Sequence, residues 1–309
     1  MPRRYFDLEL TRMLERTPGK MTRCRPLVPA YSPSVLAFLK RHRREVVRAR
    51  AFPQDHVPFV ARSVHLYSVL PPVDRLELEG LVQVFLDEKR FEGAAGLEIT
   101  DEIKVTIAAQ ACLLLLHRDT DIYPELETVL VYPHAFVTRA THREGPVVIE
   151  GPEARVGESW QRGLVIVAWD EILRDARGLR PAHSVVVHEF AHQLDAEDGD
   201  VTGAPKLGSR ARYVEWAHVL GEEYRALGER LSHGRATDID AYGATSPAEF
   251  FAVVSEQFFE RPGALRKTHP TLYDELVSFY RLDPAGLLAG GHPEAAASHG
   301  GHAHGPGRL

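Results

Sequence analysis

The chain has 309 residues, 44% hydrophobic and 26% charged, an ordinary globular balance with enough apolar content for a substantial core. A net charge of −6 gives no global electrostatic case for binding nucleic acid or a membrane surface. The two cysteines, Cys24 and Cys112, form no CxxC pair, which excludes a cysteine-rich metal site and a disulfide framework and fits a reducing compartment.

The first fifty residues are rich in arginine, with Arg41, Arg43, Arg44, Arg48 and Arg50 in one short stretch. They read as a solvated helix face or an extension, with a nucleic-acid or acidic-partner contact as the alternative. The N-terminus has no apolar stretch of signal-peptide length. The longest apolar run, Ile107 to Leu116, contains Gln110 and is too short to span a bilayer. The expectation is a cytoplasmic protein.

The division expected is a basic extension over 1–54, a catalytic domain over 55–288 and a low-complexity tail over 289–309. Residues 73–90 carry Leu76, Leu78, Leu81, Val82, Phe85 and Leu86 near helical spacing. A second helix starts at Thr100, which can cap it, with Asp101 and Glu102 at the positive end of its dipole. The pattern then changes. Thr128–Tyr132, Val147–Glu150 and Leu164–Ala168 are short, β-branched and bordered by Pro or Gly, and they read as strands. Helices are expected near 181–195, 209–230, 246–260 and 270–281. A few strands followed by a run of helices defines an α+β class. The tail holds His292, His299, His302 and His304, which offer loose metal binding or are incidental to a segment too polar to pack.

Residues 185–195 read VVVHEFAHQLD and contain H-E-x-x-H as His188, Glu189 and His192. Side chains at i and i+4 share a helix face, with Cβ atoms about 5–6 Å apart. Two imidazoles so placed can converge on one zinc. Glu189 lies about 100° around the helix from His188, the position of a base acting on zinc-bound water. Val185, Val186, Val187, Phe190, Ala191 and Leu194 make the helix strongly apolar. Two histidines and a glutamate on such a helix need partners, and a metal supplies one.

A catalytic zinc usually takes three protein ligands. The pattern does not continue as HExxHxxGxxH, because Asp195 and Asp198 stand at those positions. Acidic candidates lie in YGATSPAEFFAVVSEQFFERP, residues 242–262. Ser246 and Pro247 open a helix, and Ser246 with Glu249 also forms a capping box. Glu256 lies on the face of Glu249, about 10.5 Å further along the axis. Both cannot ligate one zinc. Residue chemistry leaves Glu249, Glu256 and Asp195 open, with Asp195 also a candidate to orient a ligand histidine. Glu197, Asp198 and Asp200 read as a solvated turn or as an attractor for a substrate's free amine. Leu164–Ala168 is either an edge strand that a peptide substrate extends or an interior strand.

The segments GESWQRGLVIVAW, HEFAHQLD, AYGATSPAEFFAVVSEQFFERP and FYRLDP, in this order, resemble the Mlc titration factor A family of bacterial zinc peptidases over about residues 55–288. The catalytic core of that family is similar to the peptidase domain of anthrax lethal factor, which implies a zincin-like fold. The resemblance implies one zinc held by His188, His192 and Glu249, with Glu189 as base and Tyr242 as donor to the oxyanion. It implies aminopeptidase-like hydrolysis of a peptide or protein substrate. It also implies binding to a Mlc-like glucose repressor. The alternative is a non-catalytic regulatory protein that sequesters such a repressor. A metal-handling role centred on the tail is the second rival, and a structural role with no metal is what remains.

Overall fold

The computed structural model describes residues 33–135, 163–199 and 201–290. The expected strand Val147–Glu150, Asp200 and the four tail histidines lie outside them. The described elements are α1 (Pro33–Arg48), α2 (Val57–Ser63), α3 (Pro72–Glu88), β1 (Arg90–Gly93), α4 (Asp101–Leu113), β2 (Thr128–Tyr132), β3 (Leu164–Ala168), α5 (Trp169–Ala176), α6 (Val185–Asp195), α7 (Arg210–Ser232), α8 (Pro247–Glu260), α9 (Pro262–Thr268), α10 (Pro270–Tyr280) and α11 (Pro284–Gly290). The class is α+β. No described helix is long and apolar enough to cross a membrane.

Contacts group the chain from Arg44 onward into one compact unit. Arg44 is a working member of it. Its Nε and Nη2 form a fork on Glu88 at 2.5 and 2.7 Å, and its Nη1 donates to Asp121. Such a bidentate pair is geometrically specific.

β1, β2 and β3 make a parallel sheet in the order β1-β2-β3, with Arg90 opposite Thr128 and Thr128 opposite Leu164. A parallel pairing needs a crossover, and α4 supplies the one between β1 and β2. Val129 to Tyr132 are all buried, the continuous apolar reading of a strand covered on both faces. Among the described residues β3 has a strand on one side only. β1 was not legible in the sequence. Its RFEG has one apolar side chain, and the strand holds through backbone pairing to β2.

α4 is buried at Ile103 and at every position from Val105 to Leu113. A helix apolar all round belongs inside. It packs against α2, α3 and α6. α6 in turn meets β3, α4, α5 and α8. Phe190 anchors it, with ring centroids 4.8 Å from Tyr123 and 5.7 Å from Phe85. The helix that carries the candidate chemistry is thus wedged between the sheet layer and the C-terminal helices.

Candidate metal centre

α6 begins at Ser184. Its hydroxyl accepts from Val187 N–H at 3.2 Å, a standard N-cap, and donates to Gln110 of α4 at 3.0 Å. Two further donors at this helix start are taken by carboxylates from elsewhere. Val185 N–H donates to Asp175 at 3.0 Å and Ser184 N–H donates to Glu256 at 2.7 Å. Arg180 holds Asp175 from the other side at 2.9 Å. Burial pushes the Asp175 carboxyl up to about 6 despite these donors.

The cap and the period bring His188 and His192 to one face, with ring centroids 4.9 Å apart. α8 faces them. Ser246 caps that helix by accepting from Glu249 N–H at 3.2 Å, and Pro247 occupies its first position. Glu249 is therefore in the capping box's sequence position, yet its carboxylate points away to the histidines. Its Oε2 lies 3.1 Å from His188 Nε2 and 3.2 Å from His192 Nε2, and the two ring nitrogens are 3.3 Å apart. One ligand atom from each residue falls within 4.8 Å of the others, and this is the group with metal-binding geometry among the described residues.

These distances test whether a metal fits. Zinc bonds of about 2.0–2.1 Å in a tetrahedron place ligand atoms about 3.3–3.4 Å apart along each edge. The triangle here has edges of 3.1, 3.2 and 3.3 Å. The donor chemistry agrees. His188 Nδ1 lies 2.8 Å from Glu256 Oε1. A carboxylate only accepts, so Nδ1 carries the proton and neutral His188 presents a lone pair at Nε2. In that neutral form the lone pair faces the Glu249 carboxylate, two acceptors in contact, so a cation, either a second proton on Nε2 or a metal ion, belongs between them. The titration behaviour expresses the same demand. Burial opposes charge on His188, but Glu249 and Glu256 outweigh it and raise the imidazole well above its ordinary value. Burial likewise opposes the Glu249 charge, but His188 and His192 outweigh it and hold that carboxyl well below the usual range.

Glu189 is half-buried on the same helix. Burial pushes its carboxyl up, and His188 and His192 counter the push. An upward-tuned carboxyl is suited to taking and returning a proton near neutral pH. Tyr242 sits in a short helical turn, Ala241–Ala244, whose start is fixed by Tyr242 N–H donating to Asp240 at 2.8 Å. Its ring centroid is 6.0 Å from that of His188.

The other acids take different places. Asp195 is fully buried, and its Oδ2 accepts from Gly203 N–H at 2.7 Å, which ties down a loop. The carboxylate on His188 Nδ1 is that of Glu256, which the sequence offered only as a rival ligand. Gly203 matters in its own right. It has φ +78°, and an added Cβ would lie 2.3 Å from the Pro247 carbonyl oxygen. Only glycine lets this loop pass the first turn of α8, and nothing local in the sequence marks it. Glu197 is half-buried and accepts from Thr120 at 2.9 Å, so it is not simply solvated turn. Asp175 and Ser184 were also missed. The Ser before an apolar helix was the available signal for Ser184.

Comparison with known proteins gives the class first. The family model of the glucose-regulated metallo-peptidase M90 matches residues 38–281. A Synechocystis protein described as uncharacterized is 45% identical over 74% of this chain and 82% of its own length. The Mlc titration factors A of Klebsiella pneumoniae strain 342 and Escherichia coli O127:H6 are 33% and 32% identical, each over 72% of this chain and 85% of their own. The chain belongs to the M90 metallopeptidases, the family of the Mlc titration factors A.

Proposed function

We propose that this chain is a zinc-dependent peptidase with a zincin-like catalytic core, in which His188, His192 and Glu249 hold the metal. The observation that carries the reading is the 3.1–3.3 Å triangle of acceptor atoms, which has the edge length of a zinc site. Bound zinc supplies Lewis acidity and lowers the pKa of water to about 7. Glu189 accepts the proton of the attacking water as the peptide carbonyl carbon is engaged. Tyr242, from across the His188 ring, donates its hydroxyl to the oxygen on which negative charge develops. Glu189 then passes its proton to the leaving amine, so it ends each turnover as it began. An extended substrate adds along β3 by backbone pairing. Following the resemblance, the activity is aminopeptidase-like.

The second reading rests on the relatives called Mlc titration factor A. It makes this chain a binder of a Mlc-like transcriptional repressor, with or without hydrolysis. Glu189→Gln separates the two. In the untagged full chain, we expect about one zinc per protein, lost in His188→Ala. Glu189→Gln keeps the zinc and loses hydrolysis of a peptide panel by about 10²–10⁴-fold. A parent without zinc after zinc is supplied sinks the metal reading. A Glu189→Gln variant that still hydrolyses sinks the mechanism.

A further inference from the structure

Glu256 is a carboxylate with 4% of its surface exposed, two helical turns beyond Glu249 on the same face of α8. Burying an acid so completely is costly unless its oxygens are satisfied. They are satisfied on one target. Oε1 takes His188 Nδ1 at 2.8 Å, and Oε2 takes Ser184 N–H at 2.7 Å, with His183 Nδ1 at 3.5 Å beside it. The His188 ring is thereby strung between two carboxylates of one helix, Glu249 at Nε2 and Glu256 at Nδ1.

We propose that Glu256 is the positioning residue of the metal centre: it fixes the tautomer and ring plane of His188 and locks the start of α6 to α8. This rests on the zinc-peptidase reading above. A histidine that ligates through Nε2 must keep its proton on Nδ1, and an acceptor aimed at Nδ1 makes that arrangement the resting one. The same carboxylate holds the backbone four residues earlier, so the ring and its helix cannot swing independently. His192 has no counterpart among the described residues: its Nδ1 is buried without a hydrogen-bond partner there. The two histidine ligands therefore differ, one braced by a carboxylate and one held by packing. A glutamine at 256 would keep an oxygen for one donor and turn an amide nitrogen toward the other, so one of the two bonds must break.

The test is zinc affinity, measured by competition with a chromophoric chelator on the full chain. Glu256→Gln is expected to weaken zinc about 10–100-fold with the circular dichroism spectrum unchanged. A folded Glu256→Gln variant that binds zinc as tightly as the parent overturns the proposal and leaves the peptidase reading intact. A parent that binds no zinc overturns both. If the variant does not fold, the zinc-loaded parent decides by nitrogen-15 NMR of the imidazoles. The His188 Nδ1–H is expected as a downfield proton protected from solvent exchange. Its exchange at the rate of a solvated imidazole N–H overturns the proposal.

Discussion

Helices α4 and α6 pack against each other, start with a hydroxyl cap and bury most of their length, yet they are held in place differently. α4 is fastened locally. Thr100 accepts from Ile103 N–H at 3.3 Å, an exposed ion pair joins Glu102 to Arg62, and apolar packing supplies most of the rest, with no remote carboxylate on the backbone of its first turn among the described residues. α6 has its own cap but also receives Glu256 from α8 and Asp175 from α5 at its first turn. A helix that only fills the core needs no fixed azimuth beyond what packing gives. A helix that must aim two imidazoles at a point needs its rotation and its axial position set, and remote carboxylates set both. The buried charge around α6 is the cost of that aim.

The largest effect should come from what the two helices share. Phe190→Ala removes the aromatic anchor of α6 between Tyr123 and Phe85 and should cost about 3–5 kcal/mol in chemical denaturation. A loss below 1 kcal/mol would mean that the charged braces, not packing, hold α6. The caps sharpen the contrast. Thr100→Ala should cost about 0.5–1 kcal/mol, the ordinary loss of a cap. Ser184→Ala loses the cap and also strands Gln110, so about 1–2 kcal/mol is expected. Equal losses at the two sites would make the α4–α6 hydroxyl contact irrelevant.

A pH dependence comes last, and it too is smaller than the loss of the Phe190 ring. Burial pushes Glu260 up from 4.5 to about 8, with Asp175 and Glu256 adding to the push. The folded chain then holds this proton more tightly than the unfolded chain. The group's contribution is most favourable below about 4.5 and is lost as pH rises toward about 8. Glu260→Gln should therefore raise the melting temperature at pH 8.5 by a few degrees, about 1–2 kcal/mol after allowance for partial solvation, and change little at pH 4.5. An equal shift at both pH values would show that the charge at Glu260 is not the cause.

The contrast between α4 and α6 also separates what the sequence could and could not reveal. Thr128–Tyr132 and Leu164–Ala168 emerge with the bounds their β-branched runs predict, and Thr100 caps α4 as expected. These are local signals. So is H-E-x-x-H, because i,i+4 geometry is built into a helix. β1 fails locally, since RFEG has little strand character and borrows its structure from β2. The expected helix over 73–90 ran past Glu88 into that strand for the same reason. At the site, the choice among Glu249, Glu256 and Asp195 depends on how α6 and α8 meet, and periodicity within either helix is blind to that. Two carboxylates seven apart on one face were visible. That one faces Nε2 and the other Nδ1 of the same ring was not.

His188 and Glu249 are 61 positions apart, and they come from different helices. This spacing has a consequence during synthesis. At about 5–20 residues per second, roughly 3–12 s separate the addition of His188 from that of Glu249. Through that interval the growing polypeptide carries His188, Glu189 and His192 but neither Glu249 nor Glu256. The proposed metal site is therefore completed only when α8 is made, after the sheet, α4 and α6.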